Sequence, residues 1–140
     1  MRICLDFDGV IHSFTSQWIN EDVIPDKPIT GCREALASIK AMGAQIYIHS
    51  TRCHCRSGRK AIAHYMAKHH LVFDEIVEHK PVADLYIDDR AILFSGDWQK
   101  VLMAVGLTSK SYEKSNLLSH STVKMLNKLF ANELAENDDF

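Results

Sequence analysis

Apolar positions in this chain fall into short continuous runs that alternate with stripes of helical spacing. Ile3 to Phe7 is an apolar run punctuated by acid and closed by Gly9, the pattern of a buried strand. Residues 12–30 keep no period and contain Pro25 and Pro28, which predicts an irregular loop or flap. Ala35, Leu36, Ile39 and Met42 make the apolar face of a helix over Gly31–Met42, with Thr30 as its N-cap and Gly43 at its left-handed stop. Gln45 to His49 reads as a second strand. A helix capped by Ser57 and running to about His70 follows, with Ile62, Tyr65 and Met66 facing inward.

Glu75–Val77 and Leu85–Ile87 are two further short strands, and Ala91–Phe94 a candidate last one. Ser95 or Asp97 then caps a helix through Val101, Leu102 and Val105, with Gly106 as its stop. Beyond a polar stretch from Thr108, residues Val123, Leu126, Phe130 and Leu134 share one face of a C-terminal helix with an acidic end. Buried strands alternating with helices predict an α/β fold: a three-layer, Rossmann-like sandwich with a mostly parallel sheet and helices on both faces. The expected division is a core over residues 1–107, with 12–30 as its flap, and a tail over 108–140. That tail packs on the core or on a second copy of the chain, a homo-oligomer contact.

Length and charge narrow the class. At 140 residues there is room for one core and no large cap domain. Lys and Arg number 16 against 18 Asp and Glu, a formal charge of −2, whereas binding a phosphate backbone calls for clustered basic residues. Nucleic acid is therefore a disfavoured partner and a small molecule the favoured one. No apolar run approaches the ~20 residues of a membrane span, so no membrane partner is expected. Met1–Asp6 lack the apolar core of a signal peptide. The expected compartment is the cytoplasm, where the four cysteines stay reduced.

The chemistry collects where strands end, the place at which parallel α/β sheets bind ligands. Asp6 and Asp8 close the first strand; in an extended chain residues i and i+2 point the same way. Two like charges so placed need a cation or a shared proton, and a hard divalent ion, most simply Mg²⁺, meets that need. Asp88 and Asp89 close another strand and would complete a carboxylate cage. Ser50 and Thr51, at the end of the second strand, offer hydroxyl and N–H donors, and Lys80 a positive charge. Together these are the parts of phosphoryl transfer, in which positioning and charge neutralisation carry most of the catalysis.

Four segments then carry a resemblance. Asp6-Phe7-Asp8-Gly9-Val10 resembles the first motif of the haloacid dehalogenase superfamily of phosphatases, and Ile46-Tyr47-Ile48-His49-Ser50 its second. Lys80-Pro81 resembles the third and Tyr86-Ile87-Asp88-Asp89 the fourth, in the family's order over residues 3 to about 106. The resemblance implies a Mg²⁺-dependent phosphomonoester hydrolase with no large cap domain, in which Asp6 attacks phosphorus to give an aspartyl phosphate. Asp8 would act as general acid and then base. The Asp6 carboxylate, the Asp8 main-chain carbonyl and one of Asp88 and Asp89 would hold the metal, Asp89 being favoured as the direct ligand. Ser50, Thr51, Arg52 and Lys80 would bind the phosphoryl group or the rest of a small phosphate ester. A polynucleotide or nucleotide phosphatase, and a non-catalytic phosphate-binding module, are the alternatives.

One spacing departs from the family. Only Pro81, Val82 and Ala83 separate Lys80 from the strand leading to Asp88, where family members usually place a helix. Either residues 75–77 fail to pair as a full strand or that helix is lost; Lys60, Arg52 or Arg90 could then supply the charge. Arg52, Arg56, Arg59 and Lys60 read either as an anion-binding rim or as a solvated helix start. Phe14 and Trp18 read either as core residues or as a lid over the site. Cys53-His54-Cys55 reads as a loop rather than a zinc site, its cysteines being too close for the usual ligand spacing.

Overall fold

The computed structural model describes residues 1–113, with side chains to residue 106. The chain divides into two compact units, Met1–Ala91 and Ile92–Phe140. The first holds four strands and two α-helices: β1 (Arg2–Leu5), α1 (Cys32–Ala41), β2 (Gln45–His49), α2 (Arg56–Lys68), β3 (Glu75–Val77) and β4 (Leu85–Ile87). All four strands are parallel, in the order β3-β2-β1-β4. The α/β reading and the parallel sheet are therefore observed, and residues 12–30 are irregular as expected.

Register decides which side chains share a face. Ile3 pairs with Ile46 and Leu5 with Ile48, so these four point the same way. They form one buried cluster with Leu36 of α1 and with Ile62, Tyr65 and Met66 of α2. Ile46, Ile48, Ile62 and Met66 are completely enclosed. Both helices thus cover the same face, as they must when β1, β2 and β3 advance in one direction through right-handed crossovers.

The opposite face carries Cys4, Tyr47 and Tyr86, which are partners in register. Within Met1–Ala91 it bears no helix, so the expected second helical layer is absent there. The chain crosses it between β3 and β4 through residues 78–84. The Tyr86 hydroxyl donates to the Pro81 carbonyl and accepts from the Ala83 N–H, and the Lys80 ammonium lies 4.2 Å from the centre of the Tyr86 ring. Of the two alternatives raised by the short spacing, the helix is lost while β3 pairs fully with β2. A helix-free link suffices because β3 and β4 are only three residues long, leaving little length for an extended return path to cover. No helix of Met1–Ala91 follows β4, and Leu85, Tyr86 and Ile87 are exposed.

Several boundaries differ from the sequence expectation. β1 ends at Leu5, because the chain turns at Phe7, whose carbonyl receives the Ile11 and His12 N–H groups. Gly31, in the left-handed conformation, is the N-cap of α1 and no side chain caps it, so Thr30 does not. Cys55 rather than Ser57 caps α2, its sulfur accepting the Gly58 N–H. Residues 91–94 form no strand.

In the second unit, α3 (Trp98–Glu113) starts at Asp97, whose carboxylate accepts the Gln99 N–H. The helix runs through Gly106 instead of stopping; a glycine inside a helix costs only about 1 kcal/mol. The four cysteines are free thiols. No helix among the described residues is long and apolar enough to cross a membrane. The C-terminal helix expected over 121–134, and the subunit contact assigned to it, lie outside the described residues.

Candidate functional site

The strand order fixes where a site can form. From β1 the chain moves to β2 on one side, and β4 returns on the other, so the direction of winding reverses between β1 and β4. In open α/β sheets that switch point, at the carboxyl ends of the strands, is the ligand crevice. Asp6 follows β1 and Asp88 and Asp89 follow β4, tied together by the Asp6 N–H donating to the Ile87 carbonyl at 2.9 Å. A cleft of about 390 Å³ opens here, lined by Asp6, Asp8, Phe14, Trp18, His49, Ser50, Thr51, Asp88 and Arg90.

Carboxylate oxygens of Asp6, Asp88 and Asp89 all lie within 4.8 Å of one another. Asp6 is half-buried and accepts the Phe7 N–H at 2.7 Å. Burial, reinforced by the charges of Asp88, Asp89 and Asp8, raises its carboxyl to about 6 against the lowering effect of the Phe7 N–H. Three acids this close with one pushed toward its neutral form are a donor set that a hard divalent cation satisfies, since its charge relieves both the repulsion and the burial cost. Asp89 packs against the backbone of Gly9 so tightly that a Cβ there would overlap its carboxylate. Gly9 also has φ +90°, a conformation that glycine alone adopts cheaply.

Asp8 lines the cleft, but its carboxylate is not part of that acidic group. The expectation that Asp6 and Asp8 would aim at one spot rested on an extended chain, and the chain leaves the extended form at Leu5. Asp8 instead faces Arg52, whose Nε donates to Oδ2 at 2.8 Å and Nη2 to Oδ1 at 3.1 Å. Its Oδ1 also meets His12 Nδ1 at 2.8 Å. The Asp26 N–H donates to His12 Nε2 at 3.2 Å, which assigns the ring proton to Nδ1 and makes His12 a donor to Asp8. With its carboxylate directed at Arg52 and His12, Asp8 adds no side-chain oxygen to the group of Asp6, Asp88 and Asp89.

Arg52 itself departs from expectation. It is 1% exposed, and its Nη1 donates to the carbonyls of Asn20, Glu21 and Val23 at 2.9–3.1 Å. Its guanidinium also sits 4.2 Å from the centre of the Trp18 ring. The residue is a strut joining Asp8 to the flap rather than a ligand for substrate. A short 3₁₀ turn, Thr51–His54, aims it inward; Gly58 permits this, because a Cβ there would collide with the Arg52 carbonyl. Of the remaining basic stretch, Arg59 pairs with Glu78 at 3.1 Å, so it is not a free anion-binding rim.

Ser50 is buried and begins the 3₁₀ turn, its Oγ accepting the Arg52 N–H at 3.2 Å. Thr51 is exposed beside it, and both line the cleft. Lys80 is not among the lining residues; it is held over Tyr86 on the sheet face by the short 78–84 link. Arg90, one of the alternatives weighed for that charge, does line the cleft, and its main-chain N–H caps Asp88 at 2.8 Å. His49 also lines it, with its ionisation lowered by burial and by Lys80 against the raising effect of Asp88.

The chain matches no family model, no curated protein and no solved structure.

Phe14 and Trp18, which the sequence leaves as core or lid, both line the cleft. His12 is buried behind it and reaches the site only through Asp8; its spacing of four from Asp8 across a glycine turn is the signal in the sequence that points to it. Among the described residues, the acidic trio is the one group of potential metal ligands, and Cys53-His54-Cys55 forms none: Cys53 is fully buried and Cys55 caps α2.

Proposed function

We propose that the protein is a Mg²⁺-dependent phosphomonoester hydrolase of the haloacid dehalogenase type, with Asp6 as nucleophile. The observation that carries this reading is the convergence of Asp6, Asp88 and Asp89 at the switch point of a parallel sheet, in a cleft shared with Ser50 and Thr51. Mg²⁺ would be held by Asp6, the Asp8 main-chain carbonyl and the Asp88–Asp89 pair, where it neutralises phosphoryl charge. The Ser50 and Thr51 end of β2 orients the phosphoryl oxygens, and Arg90 adds positive charge in place of the Lys80 expected from the motif.

The reaction then runs in two steps. An Asp6 oxygen bonds to phosphorus as the ester P–O bond breaks, and the leaving oxygen takes a proton, becoming an alcohol. Water next attacks phosphorus, the Asp6–phosphorus bond breaks, and the water proton returns to the protein. Asp8 is assigned the giving and taking of that proton; Arg52 and His12 hold its two oxygens in a fixed orientation at the cleft. Catalysis of this kind rests on positioning and charge, as expected for phosphoryl transfer.

The test is hydrolysis of a generic phosphate monoester with Mg²⁺. Activity abolished by EDTA and by Asp6→Asn is expected; activity that survives either change contradicts the mechanism.

A further inference from the structure

The flap presents two aromatic rings to the cleft, and neither is used by the chemistry above. Trp18 is 45% exposed although it lines the cleft and is held from one side by the Arg52 guanidinium at 4.2 Å. The same guanidinium is anchored on Asp8 and on three flap carbonyls, so the ring is fixed in place by a buried strut rather than by core packing. Phe14 stands at an angle of 70° to it, with centroids 6.4 Å apart. Phe14 adopts φ 49°, a left-handed conformation that a bulky side chain rarely takes and that concentrates at ligand-binding sites. The loop accepts backbone strain where it presents that ring to the cleft.

A large indole braced on one side and open on the other is a stacking platform, and planar π-systems stack on such rings whatever their substituents. The platform shares its cleft with the Asp6 end of β1, and a volume of about 390 Å³ is at the small end for ligand pockets. It therefore suits one small ester rather than a polymer. We propose that the substrate is a phosphate monoester bearing a planar aromatic group, of the nucleoside monophosphate class, with its base stacked on Trp18 and its phosphate at Asp6, Ser50 and Thr51. This rests on the phosphatase reading for the phosphate end alone; the stacking end stands on the flap geometry.

The test compares adenosine 5′-monophosphate with ribose 5-phosphate, which keeps the sugar phosphate and lacks the base. The intact protein with Mg²⁺ is expected to favour the nucleotide in kcat/KM by roughly 5- to 150-fold, the range that a stacked base supplies. Trp18→Ala should collapse that ratio toward one, chiefly through KM for the nucleotide, and Trp18→Phe should retain most of it. Equal kcat/KM values for the two esters, or a ratio unmoved in Trp18→Ala, overturn the proposal while leaving the phosphatase reading intact.

A binding measurement separates the two readings from the other side. In the Asp6→Asn, Trp98→Phe background Trp18 is the sole tryptophan and turnover is blocked. The nucleotide should quench its fluorescence with saturation, and ribose 5-phosphate should not. Quenching without hydrolysis of any ester by the intact protein sustains the stack and refutes the phosphatase. Absence of quenching by the nucleotide overturns the stack.

Discussion

Asp6→Asn is expected to stabilise the metal-free protein at pH 7 while abolishing its response to Mg²⁺. The Asp6 carboxyl is raised from an ordinary 3.8 to about 6, first by burial and then by Asp88, Asp89 and Asp8. A tenfold change in protonation preference corresponds to about 1.4 kcal/mol, so keeping this group charged in the fold costs up to ~3 kcal/mol at pH 7. Asp6 is only half-buried at the mouth of an open cleft, and solvent screening reduces the expected gain from the neutral amide to about 1–2 kcal/mol. Asn keeps an oxygen to accept the Phe7 N–H, so that bond does not confound the comparison.

The pH dependence has a defined sign. Below about pH 4 the carboxyl is neutral in both folded and unfolded chains, and the substitution should be silent. Between about 4 and 6 the folded chain holds a proton that the unfolded chain has released, so wild-type stability falls as pH rises. Above about 6 the full cost is present and the variant's advantage is greatest. Urea denaturation in EDTA at pH 4, 5 and 7 measures this directly. Adding Mg²⁺ at a hundred times its dissociation constant should then stabilise the wild type by about 2.7 kcal/mol, with little effect on the variant. A variant no more stable than wild type at pH 7 in EDTA, or an advantage independent of pH, would refute the electrostatic account of the trio.

Three further outcomes test the surrounding scaffold. Arg52→Ala should cost about 3–5 kcal/mol in urea unfolding, because it strands Asp8 without its cation and leaves three flap carbonyls unpaired. Arg52→Lys should recover only a minor part, since an ammonium cannot reproduce the forked contact, and limited proteolysis should cut residues 14–24 first in both variants. Gly9→Ala should weaken Mg²⁺-induced stabilisation at least tenfold in apparent affinity, as its Cβ displaces Asp89 and its φ of +90° is strained; unchanged Mg²⁺ affinity by calorimetry would remove Asp89 from the ligand set. Tyr65→Phe should cost about 1 kcal/mol through loss of the hydroxyl that donates to the Asp26 carbonyl at 3.1 Å.

How much of this the sequence disclosed depended on whether a feature was local. β2 was legible residue for residue, because Ile46 and Ile48 alternate with Gln45, Tyr47 and His49 in the two-residue period of a strand. The link from Asp6 to Asp88 and Asp89 was legible through the order of the four motifs, and the pairing of β1 with β4 brings those two strand ends together. The direction of the Asp8 side chain was not legible. It depends on Arg52, 44 residues away, whose burial follows from a 3₁₀ turn and from the glycine at 58 that makes room for it. Charge patterning leaves Arg52 in either an anion-binding rim or a solvated helix start; tertiary hydrogen bonds draw it inside instead. The single-sided helix cover was likewise hidden, because alternation of strands and helices does not reveal strand order. Thr30 and Ser57 failed as caps for a local reason: a left-handed glycine and a cysteine sulfur met the same backbone need.

The central claim, that Asp6 carries the phosphoryl group, is tested most directly by acid-quenching the Mg²⁺-loaded protein during turnover of a phosphate monoester and mapping phosphate by mass spectrometry. The account predicts an acid-stable, base-labile phosphate on the peptide containing Asp6, absent in Asp6→Asn and absent without Mg²⁺. Turnover with phosphate on another residue, or with no phosphoprotein under conditions where hydrolysis of the intermediate is rate-limiting, would contradict it.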